Sequence, residues 1–194
     1  MKHLLLAATA AVGMLGAASS ASAVDLLTGT ITLTGHVDSK CSVVPGGGST
    51  FGASHDLGDI SQANGTLRAN MQTTTATTAD SFQVSCTGAN LGVHVNADAM
   101  TNATAAPAGY ANTVNFTGRA VFQRVSAAGP QTALTVDNVS GTATTDSTLG
   151  AGNFLAASPA NITISTFSFT TGTNTELLVA GGYSGQVVVT VTPS

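Results

Sequence analysis

The chain has 194 residues, of which 43% are hydrophobic, 7% charged and 5% aromatic, with no Trp and a formal net charge of −4 at pH 7. Charge-driven disorder is excluded, because it needs low hydrophobicity together with high net charge. A nucleic-acid-binding surface is excluded as well, since phosphate recognition needs a basic face and the whole chain holds five Lys and Arg. Thr, Ser, Ala, Gly and Asn fill the gap left by charge, and these small residues suit strands and turns.

Met1-Lys2-His3 is a short basic start, Leu4 to Ala18 is apolar and small, and Ala21-Ser22-Ala23 is an A-x-A cleavage site. The three features read as a secretory signal peptide over residues 1–23, with an apolar run too short for a membrane anchor. The expected product, Val24–Ser194, is exported and does not insert into a membrane once the signal is gone. Its length suggests one domain. Cys41 and Cys86 are the two cysteines. In an oxidising compartment an isolated pair forms a disulfide, and closing that loop stabilises by about 4 kcal/mol in the chain-entropy picture.

No amphipathic helix is legible. Period-two alternation recurs instead, separated by Gly, Asn, Ser and Pro clusters. Gly29–Val37 sets Ile31, Leu33, Gly35 and Val37 against Thr30, Thr32, Thr34 and His36. Further strands are expected over Ser81–Cys86, Leu91–Ala97, Arg119–Val125, Thr132–Val136, Asn161–Phe169 and Gln186–Thr192, with shorter ones over Asp56–Ile60 and Thr66–Ala69. Turn signals lie between them, among them Pro45-Gly46-Gly47-Gly48, Asn64-Gly65 and Gly181-Gly182. Thr73–Thr78 and Thr142–Thr148 are low-complexity and expected as surface loops. Thr-rich strands at this spacing predict an all-β, antiparallel β-sandwich with one wet face per sheet.

Catalytic chemistry is not legible. His36, His55 and His94 do not cluster at metal-ligand spacing, and His55 with Asp56 and Asp59 makes only a weak ligand group. There is no G-x-S-x-G elbow and no H-E-x-x-H pair. Gly46-Gly47-Gly48-Ser49-Thr50 lacks the Lys of a phosphate-binding loop, and Glu176 is the only Glu. The expectation is no catalytic site, no metal and no cofactor. Five N-x-S/T patterns begin at Asn64, Asn102, Asn115, Asn138 and Asn161, as chance produces in so Thr- and Asn-rich a chain.

Gly29-Thr-Ile-Thr-Leu-Thr-Gly-His-Val-Asp-Ser-Lys-Cys41 resembles the start of bacterial chaperone–usher pilins. Phe51-Gly52 and Leu57-Gly58-Asp59-Ile60 resemble the strand that follows the first cysteine, and Phe82-Gln-Val-Ser-Cys86-Thr-Gly resembles the strand bearing the second. Ala180-Gly-Gly-Tyr183-Ser-Gly-Gln-Val-Val-Val-Thr-Val191 resembles the ending of spore-coat-U-type and related alternative pilins. The resemblance covers both ends and the two cysteines. The centre, about Met100 to Phe154, matches no motif, and the terminal Pro193-Ser194 departs from the aromatic that type 1-like pilins carry next to last.

The resemblance implies an immunoglobulin-like sandwich lacking its last strand, with residues 24–37 as an N-terminal extension and residues 38–194 as the pilin domain. Ile31, Leu33, Gly35 and Val37 would then be the donor face that fills the next subunit's groove, and Val187, Val189 and Val191 would line that groove and meet a periplasmic chaperone. The implied partners are other copies or related pilin subunits, the chaperone and an outer-membrane usher. The implied location is a cell-surface fimbrium of a Gram-negative bacterium, reached through the periplasm, with a role in adhesion or biofilm formation. Two alternatives stand beside this. Gly29–Val37 can be the first strand of its own sandwich, and the whole chain can be a self-complete secreted β-sandwich that binds carbohydrate or another surface without polymerising.

Overall fold

A computed structural model describes residues 29–44, 48 and 50–194. The expected signal peptide (1–23), the start of the extension (24–28) and the Pro45-Gly46-Gly47 turn lie outside the described residues.

The protein is all-β. The strands are β1 (Cys41–Val44), β2 (Thr78–Cys86), β3 (Gly92–Thr101), β4 (Tyr110–Ala111), β5 (Thr113–Ser126), β6 (Thr132–Val139), β7 (Thr145–Thr148), β8 (Asn153–Leu155), β9 (Ile162–Thr170), β10 (Leu177–Leu178) and β11 (Ser184–Thr192), with one 3-10 turn at Ala69–Gln72. Nine strands make a single sheet in the order β1-β2-β9-β5-β3-β11, with β6 and β8 added on β5 and β7 on β3; β4 and β10 form a small parallel pair. Every ladder in the large sheet is antiparallel.

The long strand β5 explains how one sheet becomes two layers. Its middle pairs with β9 on one edge and β6 on the other, while its first residues, Thr113 and Val114, pair with the end of β3. The sheet therefore curls at the β5–β3 junction, and β3 with β11 folds back over β5 and β9. Alternation sets the faces: Val114, Phe116, Ala120 and Phe122 of β5 point inward, as do Leu91, Val93, Val95 and Ala97 in and before β3, all buried. Gly118 continues the inward row where Val187 of β11 crosses closest, since a Cβ there would lie 2.8 Å from Val187 Cγ2. Two apolar clusters result, one around Val84, Val93, Phe122 and Ile162, the other around Leu67, Met71, Phe116 and Phe169.

One ion pair braces the outer face of β5 and β6. Arg119 Nε and Nη2 donate to the two carboxylate oxygens of Asp137, both at 2.7 Å, while the guanidinium lies 4.5 Å from the Phe167 ring centroid. That pairing raises the Arg119 pKa further.

Two buried amides carry structure that alternation does not reveal. Asn161 accepts from the Val84 N–H at 2.9 Å and donates to the Val84 and Ala156 carbonyls at 2.6 and 2.7 Å. It thereby replaces a ladder residue where β9 begins beside β2. Asn138 of β6 accepts from the Ala97 N–H at 2.8 Å and donates to the Ala143 carbonyl at 2.6 Å, tying β6 to β3.

Several expectations change. Gly29–Lys40 contains no strand, so the one expected over Gly29–Val37 is not formed. Asp56–Ile60 and Thr66–Ala69 are not strands either; only the isolated bridges Ser61–Leu67 and Thr66–Leu177 occur there. Thr145–Thr148, expected within a loop, is strand β7 paired to Gly92–Val95. Its Thr-Asp-Ser-Thr sequence buries no apolar side chain, so it is held by its ladder bonds and by polar contacts of Asp146 with His94 and of Thr145 with Asn138.

Candidate functional site

A groove of about 1180 Å³ runs beside β11. Three elements bound it, and each is explained by local sequence.

The first wall is β11 itself. Its alternating valines place Val187, Val189 and Val191 half-buried against the first apolar cluster, with Val188 on the other face. β11 pairs with β3 on one edge and has no ladder partner on the other among the described residues. Strands in this position present a row of free N–H and C=O groups. Tyr183 fixes the chain just before β11: its hydroxyl lies 2.9 and 3.1 Å from the carbonyls of Ala111 and Val179, and burial pushes its pKa up.

The floor is the inner face of β2 and β9. β2 contributes Thr78, Asp80, Phe82 and Val84, and β9 contributes Ile164 and Thr166. Thr78 and Thr166 are cross-strand partners joined through their hydroxyls at 2.8 Å. The floor is thus apolar at the Phe82–Val84 end and polar at Thr78 and Asp80.

The second wall is the segment Phe51–Asp59, which follows β1 after the turn. Phe51 meets Phe82, with ring centroids 4.9 Å apart, His55 bonds to Asp80, and Leu57 packs on the second cluster. These three residues share one parity, so the segment has the side-chain alternation of a strand. Yet among the described residues Phe51–Asp59 makes no backbone–backbone hydrogen bond and belongs to no ladder. Its local bonds are short-range: Gly58 N–H to Asp56, and Ser61 N–H and hydroxyl to Asp59. The Ser61 bonds hold the Asp59 carboxyl below its usual range. Two edges without ladder partners among the described residues, β11 and Phe51–Asp59, therefore face each other across a groove that is apolar over part of its length.

Of the residues singled out in the sequence, Val187, Val189 and Val191 line this groove. Cys41 and Cys86 form the disulfide, directly opposite each other in the β1–β2 ladder, and Cys41 also lines the groove. Ile31, Leu33 and Val37 are 87%, 89% and 74% exposed, and a Cβ on Gly35 would meet nothing within 4 Å. His55, Asp56 and Asp59 do not gather: His55 turns to Asp80, and no group of three His, Cys, Asp or Glu able to hold a metal occurs among the described residues. His36 pairs with Asp38 and His94 with Asp146.

Sequence reasoning missed Asp80. The strand expected over Ser81–Cys86 starts one residue too late to include it, and the parity that Asp80 and Thr78 share with Phe82 and Val84 was the available signal. A formed disulfide fits a secreted or periplasmic protein, and no helix among the described residues is long and apolar enough to cross a membrane. Comparison with protein-family models, with curated proteins and with solved structures finds no match to this chain.

Proposed function

We propose that this protein is a structural fimbrial subunit, exported to the periplasm and polymerised on the cell surface by donor-strand exchange. The observation that carries the reading is the groove between two unpaired edges. A strand entering there gains backbone partners from β11 and apolar contact from Val187, Val189 and Val191, which is β-strand addition.

The N-terminal segment has the side chains such a strand needs. Ile31, Leu33 and Val37 alternate, stand exposed and carry no charge. Burying three aliphatic side chains contributes roughly 1.5–3 kcal/mol each before ordering costs. The intervening Thr residues supply β-propensity on the opposite face. In this reading the immunoglobulin-like sandwich is incomplete and a second copy completes it. A periplasmic chaperone covers the β11 edge before assembly, an usher exports the subunits, and the fibre supports adhesion.

Electron microscopy of the exporting cell tests this directly. Leu33→Asp places a carboxylate on the face to be buried, so fibres are expected to vanish while the monomer still accumulates. Fibres of unchanged number and length with Leu33→Asp would overturn the proposal.

A further inference from the structure

The groove is not uniform along its length. Its inner floor reads Val84, Phe82, Asp80, Thr78 in one direction. At the Asp80 level the imidazole of His55 reaches across from the opposite wall and bonds to the carboxylate. This is the one described side-chain hydrogen bond that joins the second wall to the floor. The side chains are part-exposed, 43% for His55 and 31% for Asp80, so the bridge lies open to whatever enters. The bridge occupies one level of the groove floor, with Phe82 and Val84 following on one side of it.

The exposed segment of the same chain has a matching pattern. Its inward parity runs Ile31, Leu33, Gly35, Val37, with the single position lacking a side chain third in the row. Building on the donor-strand reading, we infer that the His55–Asp80 bridge sets the register of subunit addition: Gly35 of a second copy lies over the bridge. Leu33 then lies over Phe82 and Ile31 over Val84, while Val37 lies over Thr78, towards the second cluster. The opposite orientation puts Leu33 on Thr78 and carries Ile31 beyond the start of β2, leaving Phe82 to Val37 alone and Val84 uncovered. Apolar matching therefore makes the incoming strand antiparallel to β2. Four successive antiparallel ladders lead from β2 to β11, so β11 runs with β2, and the incoming strand is antiparallel to β11 too.

The bridge is thus a specificity device. A strand with a bulky residue at this level collides with His55, and a strand shifted by one inward position puts Leu33 or Val37 there. Its partner chemistry is a neutral β-strand with aliphatics at alternate positions and glycine at the bridge.

A peptide-binding experiment tests the register. The receptor is the full chain carrying Leu33→Asp, which keeps the groove and loses its own donor face. The probes are a fluorescent peptide of Gly29–Asp38 and the same peptide with Gly35→Leu. The native peptide is expected to bind, and the Gly35→Leu peptide to bind about tenfold to a hundredfold more weakly, the scale of overpacking a filled site. Adding His55→Ala to the receptor removes the obstruction and is expected to restore most of that loss for the Gly35→Leu peptide. Asp80→Ala, which lets the imidazole swing away, serves as a second receptor variant, with circular dichroism reporting the fold of each. Equal binding of both peptides to the unaltered groove overturns the register while leaving strand addition standing. A loss that neither receptor variant recovers overturns it in the same way. Failure of the native peptide to bind overturns both the register and the proposed function.

Discussion

Asn161→Ala is the substitution whose cost the structure specifies most fully. The side chain is fully buried, and its amide serves three backbone groups: the Val84 N–H, the Val84 carbonyl and the Ala156 carbonyl. Val84 is itself buried, so these groups have no easy route to water. A buried backbone group left without a partner costs about 1–3 kcal/mol. Three such groups set a ceiling that a water entering the vacated space lowers, because one water can serve two or three of them. The expected loss is about 3 kcal/mol. For a chain of this size each kcal/mol moves the melting temperature by about 2–4 °C, so the midpoint is expected to fall by roughly 6–12 °C. Urea unfolding with calorimetry measures both, under non-reducing conditions so that the disulfide stays closed. Asn161→Asp sharpens the test. It keeps the acceptor for Val84 N–H but points a carboxylate at two carbonyl oxygens, so at neutral pH it is expected to be worse than Ala. It should recover as acid protonates the carboxyl and makes it a donor again. An Asn161→Ala protein within about 1 kcal/mol of the parent would refute the argument that this amide replaces a ladder residue.

Gly118→Ala places a methyl against the Val187 side chain at 2.8 Å, where β11 crosses β5; the expected destabilisation is about 1–3 kcal/mol, read by urea unfolding, and a neutral result would mean that β11 shifts freely. Glu176 has its carboxyl held down to about 2 by bonds from the Thr171 hydroxyl and the Thr173 N–H. Because its folded pKa lies below the unfolded value, its contribution is complete above about pH 4.5 and is lost as pH falls through about 2. Glu176→Gln is therefore expected to flatten the acid-unfolding profile in that window; a profile identical to the parent would count against the Thr171–Glu176 turn.

Strands that bury one face were legible because burial demands alternation. Leu91, Val93, Val95 and Ala97 sit inward as their spacing predicts, and so do the inward rows of β5 and β9. What was hidden obeys other forces. β7 is held by backbone bonds to β3 and carries no apolar signal. Asn102, Asn138 and Asn161 fit a modification pattern, yet their amides are buried and spent on backbone groups. Phe51–Leu57 has strand alternation but no ladder, because the position beside it is empty of any strand of this chain's described residues. For the candidate site, Val187, Val189 and Val191 were named through the resemblance of the chain's ending, and alternation alone gave only the strand that carries them. The His55–Asp80 bridge was not readable, since it joins residues 25 apart in the chain, one in no strand and the other in β2.

The ladder between β3 and β11 has a kinetic consequence. It joins Gly92 to Thr192 and Val93 to Val191, residues roughly a hundred apart in the chain. Contacts of such long range form late, because the chain must surrender its freedom before any contact rewards it. The wall of the groove can therefore form only once nearly the whole chain is available. Until then the β3 edge that takes β11 lacks that partner, and afterwards the far edge of β11 has no ladder partner among the described residues. If the proposed strand addition holds, the rate at which that edge is covered, as well as the stability of the finished fold, decides between assembly and aggregation.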